Sequence, residues 1–322
     1  MRSVCVRVSP SLALIKYWGK ADERENLPAT SSLAVTLDGL YTRTEMCLGD
    51  VDRVAIGGVE APIGRYQRFF DRVRESTGRE LYFEAESASN FPTAAGLASS
   101  SSGFAALAYG CAQLAAPETS LEEVSAWARL GSASAARAVY EGFTVLPRES
   151  KAAQPLFAAD HWPDLRILVA VVQSAPKAVG SRGAMERART SSPFYQRWVE
   201  ESEELFQRAI EACGNCDLKA LGPLMRQSYL QMFSTMFTSS PPLIYWEPES
   251  LAVIKLCEVM RSEGLGVWET LDAGPQVKMC CLEKEVPAIL ERLQRGVPSV
   301  AFLVSKPGFG PIIEPTEGEL GW

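Results

Sequence analysis

Histidine is all but missing. His161 is the only one in 322 residues, and it sits in Asp160-His161-Trp162-Pro163-Asp164, a stretch that reads as a surface turn. Any acid–base mechanism must therefore run without a histidine base unless His161 supplies it. Long apolar runs are missing too, so no segment reaches the roughly 20 residues of a membrane span. The N-terminus, Met1-Arg2-Ser3-Val4-Cys5-Val6-Arg7-Val8, alternates like a strand and lacks a signal-peptide core. These absences predict a cytoplasmic protein with no membrane partner. Eight cysteines in so long a chain make no disulfide framework. The close pairs Cys213/Cys216 and Cys280/Cys281 lack the partners that zinc spacing requires. A basic excess is absent: Lys and Arg number 32 against 39 Asp and Glu, a net charge of -7. That argues against a nucleic-acid surface, while leaving room for a small basic pocket.

What is present begins with Asn90-Phe91-Pro92-Thr93-Ala94-Ala95-Gly96-Leu97-Ala98-Ser99-Ser100-Ser101-Ser102-Gly103. A strand-like run, 81–85, precedes it, and an Ala-rich run from Phe104 follows it. Pro92 and Gly96 make this a loop feeding a helix N-terminus. Free backbone N–H groups, serine hydroxyls and the helix dipole together suit an anion such as a nucleotide phosphate. No Lys-Ser or Lys-Thr follows the glycine, so it is not a Walker A loop. The same residues also fit an ordinary serine-capped helix.

Strands are expected at 4–8, 31–37, 41–46, 81–85, 143–146, 166–172, 266–270, 277–281 and 299–304. Helices are expected at 65–77, after the serine loop, at 121–130, within 183–211 with a break near 191–193, and at 217–235, 249–263 and 284–295. Ser120 with Glu123 three residues on forms a capping-box pattern. Strands and helices alternate through both halves without a repeat, and the domain change is placed at 178/179.

Three further stretches carry chemistry. Lys16 and Lys20 flank Tyr17-Trp18-Gly19, and lysines suit phosphate as mobile point charges. Arg137 ends Gly131-Ser132-Ala133-Ser134-Ala135-Ala136, where a lone guanidinium among small residues suits a tight anion site or a packed helix surface. Asp272 stands at a strand end in Leu271-Asp272-Ala273-Gly274-Pro275, where it can orient a hydroxyl or take its proton. Asp272-Ala273-Gly274-Pro275 also fits a plain turn.

Taken in order, Ala13-Leu14-Ile15-Lys16-Tyr17-Trp18-Gly19-Lys20, the serine loop, the Gly131–Arg137 segment and Leu271–Pro275 resemble the motifs of the mevalonate diphosphate decarboxylase family of the GHMP kinase superfamily. The resemblance implies an α+β fold of two domains. Residues 1–178 would form an ATP-binding domain like ribosomal protein S5 domain 2, and 179–322 a ferredoxin-like domain. It implies ATP and Mg2+ as cofactors, a homodimer, and conversion of 5-diphosphomevalonate to isopentenyl diphosphate through C3-hydroxyl phosphorylation.

Carried onto this chain, the resemblance makes Asp272, Lys16 and Arg137 catalytic. Tyr17, Trp18, Lys20, Ser132, Ser134, Ser181 and Arg182 would join Arg137 along the substrate. Asn90, Gly96, Leu97, Ala98, Ser99, Ser100 and Ser101 would hold ATP, with Ser100 on the metal. The chain departs from the family pattern at Ser11, Ser101, Ser102, Glu141, Met232 and Gly180-Ser181-Arg182. The last departure bears on whether the substrate carries one 5-phosphate or two. A kinase that stops before decarboxylation is the remaining alternative, disfavoured by the retention of Asp272, Lys16 and Arg137 together.

Overall fold

The computed structural model describes residues 3–91, 99–172 and 178–316, with Ser99 described by its backbone alone. Gly96, Leu97 and Ala98 lie outside the described residues. Three sheets carry the fold. The first has six strands in the order Ile312–Glu314, Ser3–Val8, Thr42–Gly49, Tyr82–Ser89, Arg53–Ile56, Val59–Glu60. All its pairings are antiparallel except that of Arg53–Ile56 with Tyr82–Ser89. Alternation explains the face it buries: Val4, Val6 and Val8 point into one core with Met46, Phe83 and Ala85.

The helix Ser99–Ala115 lies across this sheet. Its buried residues are mostly small, Ala105, Ala106, Ala108 and Ala112 among them, so the backbone approaches the strands closely. Gly110 shows how closely, because a Cβ there would collide with the Met46 sulfur. The Gly-Ser segment follows the helix Leu121–Gly131 and forms a short 3-10 helix, Ala133–Val139, against the serine-led helix. Ser120 caps Leu121–Gly131 by accepting the Glu123 N–H at 3.2 Å.

A second sheet, Gln154–Phe157, Phe143–Leu146, Ser32–Thr36 and Ser11–Ile15, is entirely buried along its last two strands. The third sheet is Trp268–Leu271, Val277–Leu282, Leu165–Val171, Ala301–Ser305. A central core of Leu12, Ile15, Phe143, Ile167, Val169, Leu221 and Met225, among others, joins the second and third sheets through the helices Tyr195–Gly214 and Leu218–Phe237. The other face of the third sheet packs on Pro248–Ser262 and Val286–Gly296.

The expected break in 183–211 is present, between Ser181–Ser191 and Tyr195–Gly214. A division at 178/179 assigns Leu165–Val171 to the first half. Its hydrogen-bond partners are Val277–Leu282 and Ala301–Ser305, so it lies within the C-terminal sheet. The chain end then crosses back, with Ile312–Glu314 pairing on Ser3–Val8.

Candidate active site

Where the second and third sheets meet the serine-led helix there is a cavity of about 460 Å³. Lys16 enters it from the end of the strand Ser11–Ile15. Its backbone N–H donates to Ser228 Oγ at 2.9 Å, anchoring the turn on the helix Leu218–Phe237. Its ammonium donates to the Ala13 carbonyl at 2.8 Å and to Asp272 Oδ1 at 2.7 Å. Asp272 follows the strand Trp268–Leu271, in a tight turn closed by the Gly274 N–H on its own carbonyl at 2.7 Å. Its second oxygen accepts from Lys278 Nζ at 3.1 Å. Lys16 and Asp272 are 256 residues apart in sequence, so only the packing of the two sheets brings them together.

The two partners differ in exposure. The Lys16 side chain is 2% exposed, whereas Asp272 keeps 29%, turned to the cavity. Burial drives the Lys16 ammonium down to about 8, although Asp272 pulls the other way. Burial pushes the Asp272 carboxyl upward, but Lys16 and Lys278 override it and hold the group well below the usual carboxylate range. Asp272 is thus a fixed anion, suited to accepting a hydroxyl's hydrogen bond, and a weak resting base.

Arg137 is buried in the same wall. It donates to Ser32 Oγ at 2.5 Å, and its Nε has no protein partner. Burial lowers its pKa to about 10, against the opposing pull of Asp272 and Tyr17. The cavity also has Ser11 Oγ, Tyr17 OH and Trp18 Nε1 as buried polar atoms without partners. Buried unpaired donors and acceptors are costly in a protein interior, so a set of them on residues that line one cavity points to a ligand site. Ser132 and Ser134 continue the wall, 3.0 Å apart at their hydroxyls, and Ser100 reaches Ser132 at 3.5 Å.

Lys20, Ser181 and Arg182 line the outer part, and the Arg182 guanidinium touches the Gly131 carbonyl at 3.4 Å. The lining residues include five basic side chains and one acid, Asp272, in a chain of net charge -7. Such a cavity selects a polyanion.

A second cavity, of about 260 Å³, opens beside the first. Thr42, Ser87, Ser89, Phe104 and Leu107 form part of its wall, and Arg65 and Ser100 line both cavities. The serine-led helix starts at this junction, and a helix N-terminus favours an anion. That arrangement would fit ATP, with Arg65 and Ser100 able to meet its phosphates. Among the described residues no cluster of three His, Cys, Asp or Glu could hold a metal. Mg2+ would be held by the Ser100 hydroxyl and the nucleotide phosphates, because it binds few protein ligands and many phosphate oxygens.

Other serine-loop assignments part from the expectation. Ser101 is fully buried and donates to the Ser134 carbonyl at 3.1 Å. Ser102 is equally buried and shares a hydrogen bond with Thr42 Oγ1 at 2.6 Å. Both hydroxyls pin the helix to its neighbours instead of facing a ligand. Asn90 lines neither cavity: its carboxamide accepts the Tyr41 N–H and donates to the Gly39 carbonyl, each at 2.8 Å. His161 stacks on Phe157 at 4.1 Å and its Nε2 meets the Cys213 carbonyl at 3.1 Å, a structural role.

Arg65 and Lys278 join the site unexpectedly, one in the cavity wall and the other on Asp272. Nothing in Gly64-Arg65-Tyr66 marks Arg65, which reaches its place through its cation–π contact on Phe104, 5.5 Å from the ring centroid. Lys278 did leave a signal, as the one charge in the apolar strand Val277-Lys278-Met279-Cys280-Cys281.

Comparison with known proteins agrees with this geometry. Residues 8–156 match the diphosphomevalonate decarboxylase-like N-terminal domain, and 167–306 the mevalonate 5-diphosphate decarboxylase C-terminal domain. The diphosphomevalonate decarboxylase of Rattus norvegicus is 33% identical, over 90% of this chain and 79% of its own length. That of Ganoderma lucidum is 32% identical, over 89% and 80%. Among solved structures, the mevalonate diphosphate decarboxylase of Staphylococcus aureus superposes with a TM-score of 0.89 at 33% identity, covering 98% of both chains. A structure of MDDEF in complex with MVAPP, AMPPCP and magnesium reaches 0.91 at 32% identity, covering 98% of this chain and 99% of the other. The two-domain α+β architecture is that of the GHMP kinase fold. On sequence, fold and site together, this chain belongs to the diphosphomevalonate decarboxylase family.

Proposed function

We propose that the protein catalyses the ATP-dependent decarboxylation of 5-diphosphomevalonate, giving isopentenyl diphosphate, ADP, phosphate and CO2. The observation that carries this is the meeting of Asp272, Lys16 and Arg137 in one polycation-lined cavity, beside a second cavity at a helix N-terminus. Asp272 accepts the hydrogen bond of the substrate C3 hydroxyl and aims its oxygen at the terminal phosphate. Lys16 stabilises charge on the reacting oxygens, and Arg137 binds the substrate carboxylate with its guanidinium. Once C3 carries a phosphate, its departure leaves positive character that decarboxylation relieves, and Arg137 holds the carboxylate in line for that step. Tyr17, Lys20, Ser132, Ser134, Ser181 and Arg182 line the path for the rest of the substrate, with Arg65 between the two cavities. Bound Mg2+ supplies neutralisation of the nucleotide phosphates.

We also propose a cytoplasmic homodimer. Cys47, Cys111, Cys213, Cys216, Cys257, Cys280 and Cys281 are free thiols, which suits a reducing compartment. Among the described residues no helix is long and apolar enough to cross a membrane.

The test is direct. The protein is incubated with ATP, Mg2+ and, separately, mevalonate, its 5-phosphate and its 5-diphosphate, and ADP, phosphate and CO2 are followed together. All three products are expected with the 5-diphosphate. ADP without CO2 from that substrate would reduce the protein to a kinase.

A further inference from the structure

Lys278 is an unusual residue to find where it is. It lies mid-strand in the third sheet, opposite Val169 on one side and Thr270 on the other. Its side chain is 3% exposed, and it is absent from the cavity wall. A buried ammonium is expensive unless it is paired, so its placement needs a reason. Its Nζ is 3.1 Å from Asp272 Oδ2, on the side of the carboxylate opposite to Lys16, which takes Oδ1 at 2.7 Å. With both oxygens gripped from different strands, the carboxylate plane cannot rotate about its own axis. A single lysine would leave that rotation free.

We propose that Lys278 is a positioning residue: from behind the cavity wall it holds Asp272 ionised and in one orientation, so that the carboxylate meets the substrate hydroxyl as an acceptor. This rests on the decarboxylase reading given above. The charged groups that bear on Asp272 are Lys16 at the end of the strand Ser11–Ile15, Lys278 on Val277–Leu282 and Arg137 in the 3-10 segment. The helix Leu218–Phe237 presents Ser228 and Met232 to this corner, neither of which titrates. Removing one of two opposite charges within 4–6 Å raises a carboxyl pKa by about 1–3 units.

The test uses Lys278→Met, which keeps the length and apolar stem, and Lys278→Arg, which restores the charge. In unliganded protein carrying 13C-carboxyl aspartate, the Asp272 resonance is assigned by its loss in Asp272→Asn. It is expected to titrate about 1–3 pH units higher in Lys278→Met than in the parent, and to move back toward the parent in Lys278→Arg. With 5-diphosphomevalonate, kcat of Lys278→Met should fall more than tenfold while KM for ATP holds. Its acid limb should shift upward by the same interval, and Lys278→Arg should recover part of the loss. An Asp272 titration unchanged in Lys278→Met overturns the proposal, whatever the activity. So does a kcat loss with no displacement of the acid limb, which is the mark of a packing role alone. Failure of the parent protein to release CO2 would instead overturn the decarboxylase reading, and the resonance would still report on Lys278.

Discussion

Asp272 and Glu269 are three residues apart on one strand and its exit, and each carboxylate lies between two cations. Asp272 has Lys16 and Lys278; Glu269 has Arg226 at 2.8 Å and Arg261, with Tyr229 OH at 3.1 Å. Yet Glu269 is wholly buried, while Asp272 keeps 29% of its side chain open to the cavity. Glu269 ties the helices Leu218–Phe237 and Pro248–Ser262 to the third sheet, its oxygens spent on the guanidinium groups and the phenol. Asp272 has lone pairs left over on an open side. A paired buried acid is therefore not by itself a catalytic one. What separates the two is access to a cavity, together with partners that come from different sheets.

That contrast can be broken first at Asp272. Asp272→Asn preserves shape and removes the charge, so turnover should fall by roughly 10³-fold or more, as is usual when phosphoryl transfer loses a charged positioning group. ATP affinity and the melting temperature should stay near those of the parent, measured by nucleotide titration and calorimetry. Near-normal turnover in this variant would strip Asp272 of its role.

Glu269→Gln should behave in the opposite way. Taking one partner out of a buried ionic cluster costs about 3–5 kcal/mol, so the unfolding midpoint in urea should drop clearly. The folded fraction should keep its turnover. If activity collapses while stability holds, the division between the two acids is wrong.

The smallest effect concerns Lys16, whose pKa is lowered to about 8 by burial against an ordinary value of 10.5. Below pH 8 both the folded and unfolded chains carry this proton, and the folded chain bears the full cost of burying it. Between pH 8 and 10.5 the unfolded chain holds more proton, so this contribution to stability improves as pH rises. Activity should run the other way, because the ammonium is needed. The value of kcat/KM, which reports the free enzyme, should decline on the alkaline side with an apparent pKa near 8. A profile flat to about pH 9.5 would show that Lys16 is charged by a stronger field than Asp272 supplies.

Much of the chain was legible before folding. Alternation at Val4-Cys5-Val6-Arg7-Val8 placed a strand. The Ala-rich run after Phe104 placed a closely packed helix, and Ser120 with Glu123 placed a cap. These are local effects of side-chain direction and backbone satisfaction, so the residues concerned are neighbours in sequence. Lys16, Arg137 and Asp272, which line one cavity, also stood out in the sequence, because each stands in a short stretch with small or aromatic neighbours. The serines after Gly96 were less so: Ser100 reaches both cavities, while Ser101 and Ser102 turn into the protein. Consecutive helical residues point about 100° apart, and only the neighbours decide which of them meets a ligand.

By itself, then, the amino-acid order determined the α+β elements, the family motifs and the trio of charged residues to which we assign the chemistry. The tertiary structure alone decided that Lys16 and Asp272 touch across 256 residues, that Lys278 grips the same carboxylate from behind, and that Arg65 stands between two cavities. The reason is the range of the forces involved. Propensity, capping and hydrophobic period act over a few residues along the chain, whereas the pairing and burial of charge depend on distances through space that exist only once the second and third sheets have packed.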